Sequence, residues 1–153
     1  MAFTSREAIF VALWNLLKAT TPPSGAWGLQ SRNLKPWEQV DQADQPALFM
    51  VETAQDGSMP DMALEQWHLR ATVWVYYRAD ENQDSTVARD TAANNFIDVF
   101  DQAINPQPGA LQQLGGLVYH TYIDGKIVFD SGLTDSQAVI LIPVTMVVGA
   151  FGA

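Results

Sequence analysis

The longest uninterrupted pattern in the chain runs from Leu64 to Tyr77, where side chains alternate residue by residue. Trp67, Leu69, Ala71, Val73, Val75 and Tyr77 fall on one side of an extended backbone; His68, Arg70, Thr72, Trp74 and Tyr76 fall on the other. A period of two over that length predicts a long β-strand with one dry face and one amphipathic face, and it excludes an all-helical fold.

The flanking segments follow a different period. Over residues 4–19, Thr4 and Glu7 have capping-box spacing, and Ile9, Phe10, Leu13, Trp14, Leu16 and Leu17 recur at helical intervals. Lys18 and Thr20-Thr21-Pro22-Pro23 close that helix. A second helix is predicted from a cap at Asp84 or Ser85 to Ile104, with Ala92, Phe96, Val99, Phe100 and Ala103 as its stripe and Asn105-Pro106 as its stop. Between the helices, Leu29 to Val40 reads as a short strand or hairpin arm ending near Pro36-Trp37, and Pro46 to Glu52 as a buried strand. Thr53 to Ala63 reads as a polar loop punctuated by Asp56-Gly57 and Met59-Pro60. Beyond the second helix, Leu117 to Ile123 alternates into Asp124-Gly125, a hairpin turn pair, and Lys126 to Asp130 is expected to return. Ser131 to Thr134 forms a further turn before a Val/Ile-rich strand bent at Pro143. The order α-β-β-β-α-β-β-β predicts one α+β domain, a mostly antiparallel sheet with two helices packed on it.

Residues 138–151 form the most apolar stretch, but 14 residues carrying Pro143, Thr145 and Gly149 fall short of the ~20 needed to span a bilayer as a helix. The first residues also lack a basic-then-apolar export pattern, and the reading predicts a chain made and kept inside the cell. With 153 residues, a core forms without staples, and with no cysteine there is no disulfide frame, thiolate metal site or cysteine nucleophile. The formal charge of −9 argues against gripping a phosphate backbone, whose affinity comes from Lys and Arg displacing counterions.

No catalytic constellation stands out. His68 and His120 each lie in an expected strand without metal-ligand spacing, so neither a metal nor a cofactor is predicted. There is no Gly-x-Ser-x-Gly elbow, and Gly115-Gly116 has no Gly-Lys-Ser/Thr after it, so it reads as a lead-in to the strand at Leu117. The carboxylates are scattered over loops and helix surfaces; Asp98 and Asp101, three apart, lack any sign of the desolvation that acid–base work needs. The aromatics are more informative. Five Trp are present, and Trp27, Trp37 and Trp74 fall in loops or on the amphipathic face of the long strand. Either they build a second small core under the N-terminal hairpin or another subunit covers them.

In their order along the chain, several short motifs resemble the tail terminator family of long-tailed bacteriophages, the lambda-type minor tail protein U and its relatives. They are Arg6-Glu7-Ala8-Ile9-Phe10; Ser31-Arg32 followed by Trp37-Glu38-Gln39-Val40; Gln45-Pro46-Ala47-Leu48; the strand ending Tyr76-Tyr77; Leu114-Gly115-Gly116-Leu117-Val118; Ile123-Asp124-Gly125-Lys126-Ile127; and Ile142-Pro143-Val144. The resemblance covers roughly residues 6–148, and it rests on the order of the motifs rather than on any one of them. The chain departs from the smaller relatives in the Ala19 to Trp27 connection and in Asn105 to Gly109.

The resemblance implies a non-enzymatic virion protein at the head-proximal end of the tail. Subunits would form a homo-oligomeric ring, a hexamer in known relatives, that caps the tail tube protein, stops polymerisation and presents a surface to the head-completion (neck) protein. A chain of this length has a radius of gyration of about 15 Å, so six touching subunits leave a hole of about 38 Å. DNA would pass without specific binding, and six copies carry 6 × −9 = −54, a charge that repels phosphates if it lines the hole. For subunit and partner contacts the expected residues are Arg70, Trp74 and Tyr76 on the long strand and Asp56, Gly57, Met59 and Asp61 in the loop from Ala54 to Met62. That loop suits ordering on docking to the tube. A tail completion or neck protein is the near alternative; a small-molecule binding domain or enzyme using His68 or His120 is the distant one.

Overall fold

The computed structural model describes residues 4–60, 64–78, 90–130 and 137–149. Two helices, α1 (Arg6–Lys18) and α2 (Thr91–Ile104), and six strands, β1 (Leu29–Ser31), β2 (Ala47–Ser58), β3 (Gln66–Arg78), β4 (His120–Ile123), β5 (Val128–Asp130) and β6 (Gln137–Gly149), follow the order α-β-β-β-α-β-β-β. This is an α+β fold. Its sheet runs β1-β2-β3-β6-β4, with β5 also on β6, and every pairing is antiparallel except β1 with β2.

The expected dry face of β3 is the floor of the main core. Leu69, Ala71, Val73, Val75 and Tyr77 join Leu48 and Met50 of β2 and Ala138, Ile140, Ile142, Val144 and Met146 of β6 beneath the helices. From α1 come Ile9, Phe10, Leu13, Trp14 and Leu17; from α2, Ala93, Phe96, Phe100 and Ile104. The apolar stripe of α2 is therefore rotated from the expected one, with Ala92, Val99 and Ala103 only half-buried on its flank. The cap of α1 is Ser5, one residue after the expected Thr4; its hydroxyl accepts from the Ala8 N–H at 3.1 Å. Glu7 is then free to pair with Arg32 rather than close a capping box. The expected start of the second helix at Asp84 or Ser85, and the turn at Ser131 to Thr134, lie outside the described residues.

Other expectations are corrected. The polar segment after Glu52 is strand as far as Ser58: β2 pairs with β3 through Ser58↔Gln66, with an irregularity between Glu52 and Ala54 that absorbs Thr53. Polar composition misled here because an edge strand exposed on both sides needs no apolar alternation. For Leu29 to Val40 the short-strand alternative holds, over Leu29–Ser31 only, and the hairpin arm does not, since β1 pairs with β2 in parallel. After β1 the chain leaves the sheet, makes 3₁₀ turns at Trp37–Gln39 and Gln42–Asp44, and returns through a cis Gln45–Pro46 bond.

Asp124-Gly125 likewise makes no hairpin. β4 and β5 do not pair with each other; both lie along the same side of β6, His120 to Ile123 opposite Val147 to Val144 and Val128 to Asp130 opposite Leu141 to Val139. Gly125, with φ +102°, sits in the step between them. Pro143 explains the break. A residue of an antiparallel strand directs its N–H and C=O to the same neighbour, and the Pro143 carbonyl accepts from the Asp124 N–H at 3.0 Å. The donor that proline lacks is therefore missing on the β4/β5 side, while β6 itself continues straight past Pro143 against β3. The expected bend of β6 becomes an interruption of its neighbour. The strand expected from Leu117 likewise starts only at His120, because Gly115 and Gly116 form a 3₁₀ turn with φ of +72° and +92°.

Candidate partner-binding surface

The helices cover one face of the sheet. Part of the opposite face is sealed by the segment between β1 and β2: Val40 and Trp37 pack on Ala47, Phe49, Tyr76, Trp74, Leu29 and Val139. Trp37 and Trp74 both meet the Tyr76 ring edge-on, at 6.0 and 6.3 Å, and the Tyr76 hydroxyl donates to the Lys35 carbonyl at 3.0 Å. Burial pushes the Tyr76 phenol pKa up, with Glu38 adding to the effect. Of the two readings left open for the tryptophans, this is the second small core. Trp27 joins the main core instead, stacked on Phe100 at 5.8 Å and tilted on Phe96 at 5.9 Å, with its indole N–H donating to the Thr20 carbonyl at 3.0 Å.

Farther along the same face, Arg70 gathers three elements. Its Nε donates to Asp56 Oδ2 of β2 at 2.8 Å, and its Nη1 donates to Asp124 Oδ2 at 2.6 Å and to the Thr145 hydroxyl of β6 at 3.1 Å. Thr145 in turn donates to Asp124 Oδ2 at 2.9 Å. The Thr145 hydroxyl and the guanidinium hold the Asp124 carboxyl below its usual range, and the two carboxylates hold Arg70 above its own. The node is half-exposed, which makes it a positioning device more than a store of stability.

A matching node lies on the helix face. Arg32 reaches Glu7 of α1 and, at 2.8 Å, Glu52 of β2. Hydrogen bonding to Arg32 lowers the Glu7 pKa, and Glu7 raises that of Arg32. Beside it, Arg6 Nε donates to Gln55 Oε1 at 2.6 Å and its guanidinium lies 4.7 Å from the centre of the Trp67 ring. The outer half of β2 is thus held from both faces.

The expected contact residues sort accordingly. Arg70 and Asp56 are brought together in one node, whereas Trp74 and Tyr76 belong to the second core. Gly57 has an internal reason to be glycine, since a Cβ there would stand 3.1 Å from the Trp67 ring lying across it. Met59 is exposed at 69% at the β2 tip. Asp61 lies outside the described residues. Missed from the sequence were Asp124 and Thr145; the Asp-Gly pair pointed to a turn, and nothing in its spacing signalled that the carboxylate turns inward to Arg70.

His68 and His120 lie on this face too, but they do not form a site. His120 stacks on Tyr122 at 5.4 Å and its Nδ1 accepts from the Gln112 N–H at 3.2 Å. Among the described residues, no three His, Asp or Glu side chains converge as metal ligands, and no helix is long and apolar enough to cross a membrane. No protein-family profile and no curated protein matches this chain.

Proposed function

We propose that the chain is a bacteriophage tail terminator, a virion protein that closes the tail tube as a ring, ends its polymerisation at the set length and offers a docking surface to the neck protein. The observation that carries this reading is the ordered motif series from residue 6 to residue 148, falling on an α+β domain with the element order α-β-β-β-α-β-β-β. Two further features support it. The sheet keeps the outer half of β2 exposed, surface that a subunit working in a ring can use. The chain also combines net charge −9 with no run of basic residues along its sequence, which suits a passage that DNA crosses without adhering.

In this reading the protein acts by assembly and not by catalysis. A ring on the last tube layer blocks the next layer sterically, and its far side supplies the neck contact. The test is to add purified protein to tube ends that are still elongating and to image them. Rings at one end and an arrested length are expected. Tubes that keep growing at the same rate would contradict the proposal, and binding only to filled heads would transfer the protein to the neck.

A further inference from the structure

Resting on the tail terminator reading, one end of the sheet identifies the surface that meets the tube. The register brings four strand ends level there: Ser58 of β2 stands opposite Gln66 of β3, Gln66 opposite Gly149 of β6, and Val147 of β6 opposite His120 of β4. Met59 follows β2, Leu64 lies just before β3 and Tyr119 just before β4, so all three stand at this end within three strand spacings, or about 14 Å. Their side chains are large and mainly apolar, yet Leu64 is 86%, Met59 69% and Tyr119 57% exposed. Leu64 and Met59 are the two most exposed large apolar residues among those described.

A glycine keeps Tyr119 in this patch. The Tyr119 N–H donates to the Val147 carbonyl at 2.8 Å, and the Tyr119 hydroxyl stands 2.8 Å from where a Cβ on Gly149 would be. With glycine there, the phenol leans across the end of β6, the strand between β4 and β3. The described tip residues, Met59, Pro60, Leu64 and Glu65, carry a single charge. A partner seating here therefore has few charged groups to desolvate.

We infer that Met59, Leu64 and Tyr119 form the tube-docking surface, and that each copy in the ring seats them on the last layer of the tube. Two observations select that occupant. The first is area. Taking about 200 Å² for a fully exposed large side chain, the three exposures amount to on the order of 400 Å², a patch of the size that is often functional on a single chain. That is about half of what each partner buries in a stable pair. One such contact is too small to hold an isolated subunit, but a ring that meets the repeated subunits of a tube end makes many linked copies of it at once. The second is polarity. A growing tube end exposes the surface that its next layer would cover, and permanent interfaces of that kind are the more apolar ones. An apolar patch with one charge beside it matches that surface, and its small area keeps free subunits from capturing tube protein in solution.

The test compares variants on elongating tube ends. Met59→Ser with Leu64→Ser in one chain, and Tyr119→Ser in another, remove the patch in two parts; Leu34→Ser removes an apolar side chain exposed at 38% in the segment between β1 and β2. Thermal unfolding of each dispersed protomer is measured alongside, and the double variant, whose two side chains are the most exposed, is expected to keep its Tm. For the double variant, growth should be arrested only at a protein concentration about 100-fold higher or more, with Tyr119→Ser shifted in the same direction and Leu34→Ser acting as the unmodified chain does. Arrest by the double variant at the unmodified concentration overturns the docking surface and leaves the terminator reading standing. Double-variant rings that still cap tubes but no longer join heads overturn it in favour of a neck contact. Failure of the unmodified chain to arrest growth removes both the docking surface and the terminator reading.

Discussion

Replacing Trp74 by Ala separates a core role from a contact role at a position where the sequence allowed both. The Trp74 ring is mostly covered by the second core and lies edge-on to Tyr76 at 6.3 Å. Truncation removes about 100 Å² of buried apolar area, or about 2.5 kcal/mol. Loss of the edge-on contact adds about 0.5 kcal/mol or more, for a total of about 3 kcal/mol. For a chain of 153 residues this lowers Tm by about 6–12 °C. The assay is urea and thermal unfolding of the dispersed protomer at low concentration, so that assembly does not contribute. A midpoint unchanged within about 0.5 kcal/mol, together with lost ring formation, would refute the packing argument and return Trp74 to the surface.

Three further outcomes follow from single contacts. Gly28→Ala places a Cβ 2.5 Å from the Asp44 carbonyl carbon, backbone that cannot swing aside, so it should destabilise by about 2 kcal/mol or more in urea; an unchanged midpoint would show that the covering segment yields freely. Burial pushes the Tyr77 phenol up to about 12, and its hydroxyl has no hydrogen-bond partner among the described residues. The folded pKa lies above the unfolded one, so the fold carries no ionisation penalty from Tyr77 below about pH 10 and loses stability as pH rises toward 12. Tyr77→Phe should therefore be neutral or stabilising at pH 7 and flatten the alkaline loss; a clear destabilisation at pH 7 would mean the hydroxyl has a partner. Asp124 behaves oppositely: its folded pKa is depressed, so its contribution is present above the usual carboxylate range and lost as pH falls through the lowered value. Asp124→Asn should flatten the acid limb of a stability–pH curve, and an unchanged acid limb would remove the Arg70 node as its source.

Legibility in the sequence tracked periodicity. The alternation from Trp67 to Tyr77 and the helical spacing of Ile9, Leu13 and Leu17 were readable because each element buries a single face, and burial writes its own period. The outer half of β2 was not readable, since Thr53 to Ser58 is exposed on both sides and held by ion pairs, cation–π contact and backbone pairing rather than by apolar burial. The β4–β5 step was invisible for another reason: Asp124-Gly125 obeys a local hairpin rule that the missing donor of Pro143, far along the chain on β6, overrides. At the contact surface, Arg70 and Asp56 could be named individually, but their meeting depends on the β2–β3 register, and that register depends on the irregularity at Thr53.

The central claim, that this chain ends tail growth, is tested most directly by tail length in phage particles lacking its gene. Over-long, headless tails are predicted, with normal length restored when the intact chain is supplied. Tails of normal length in its absence would contradict the account.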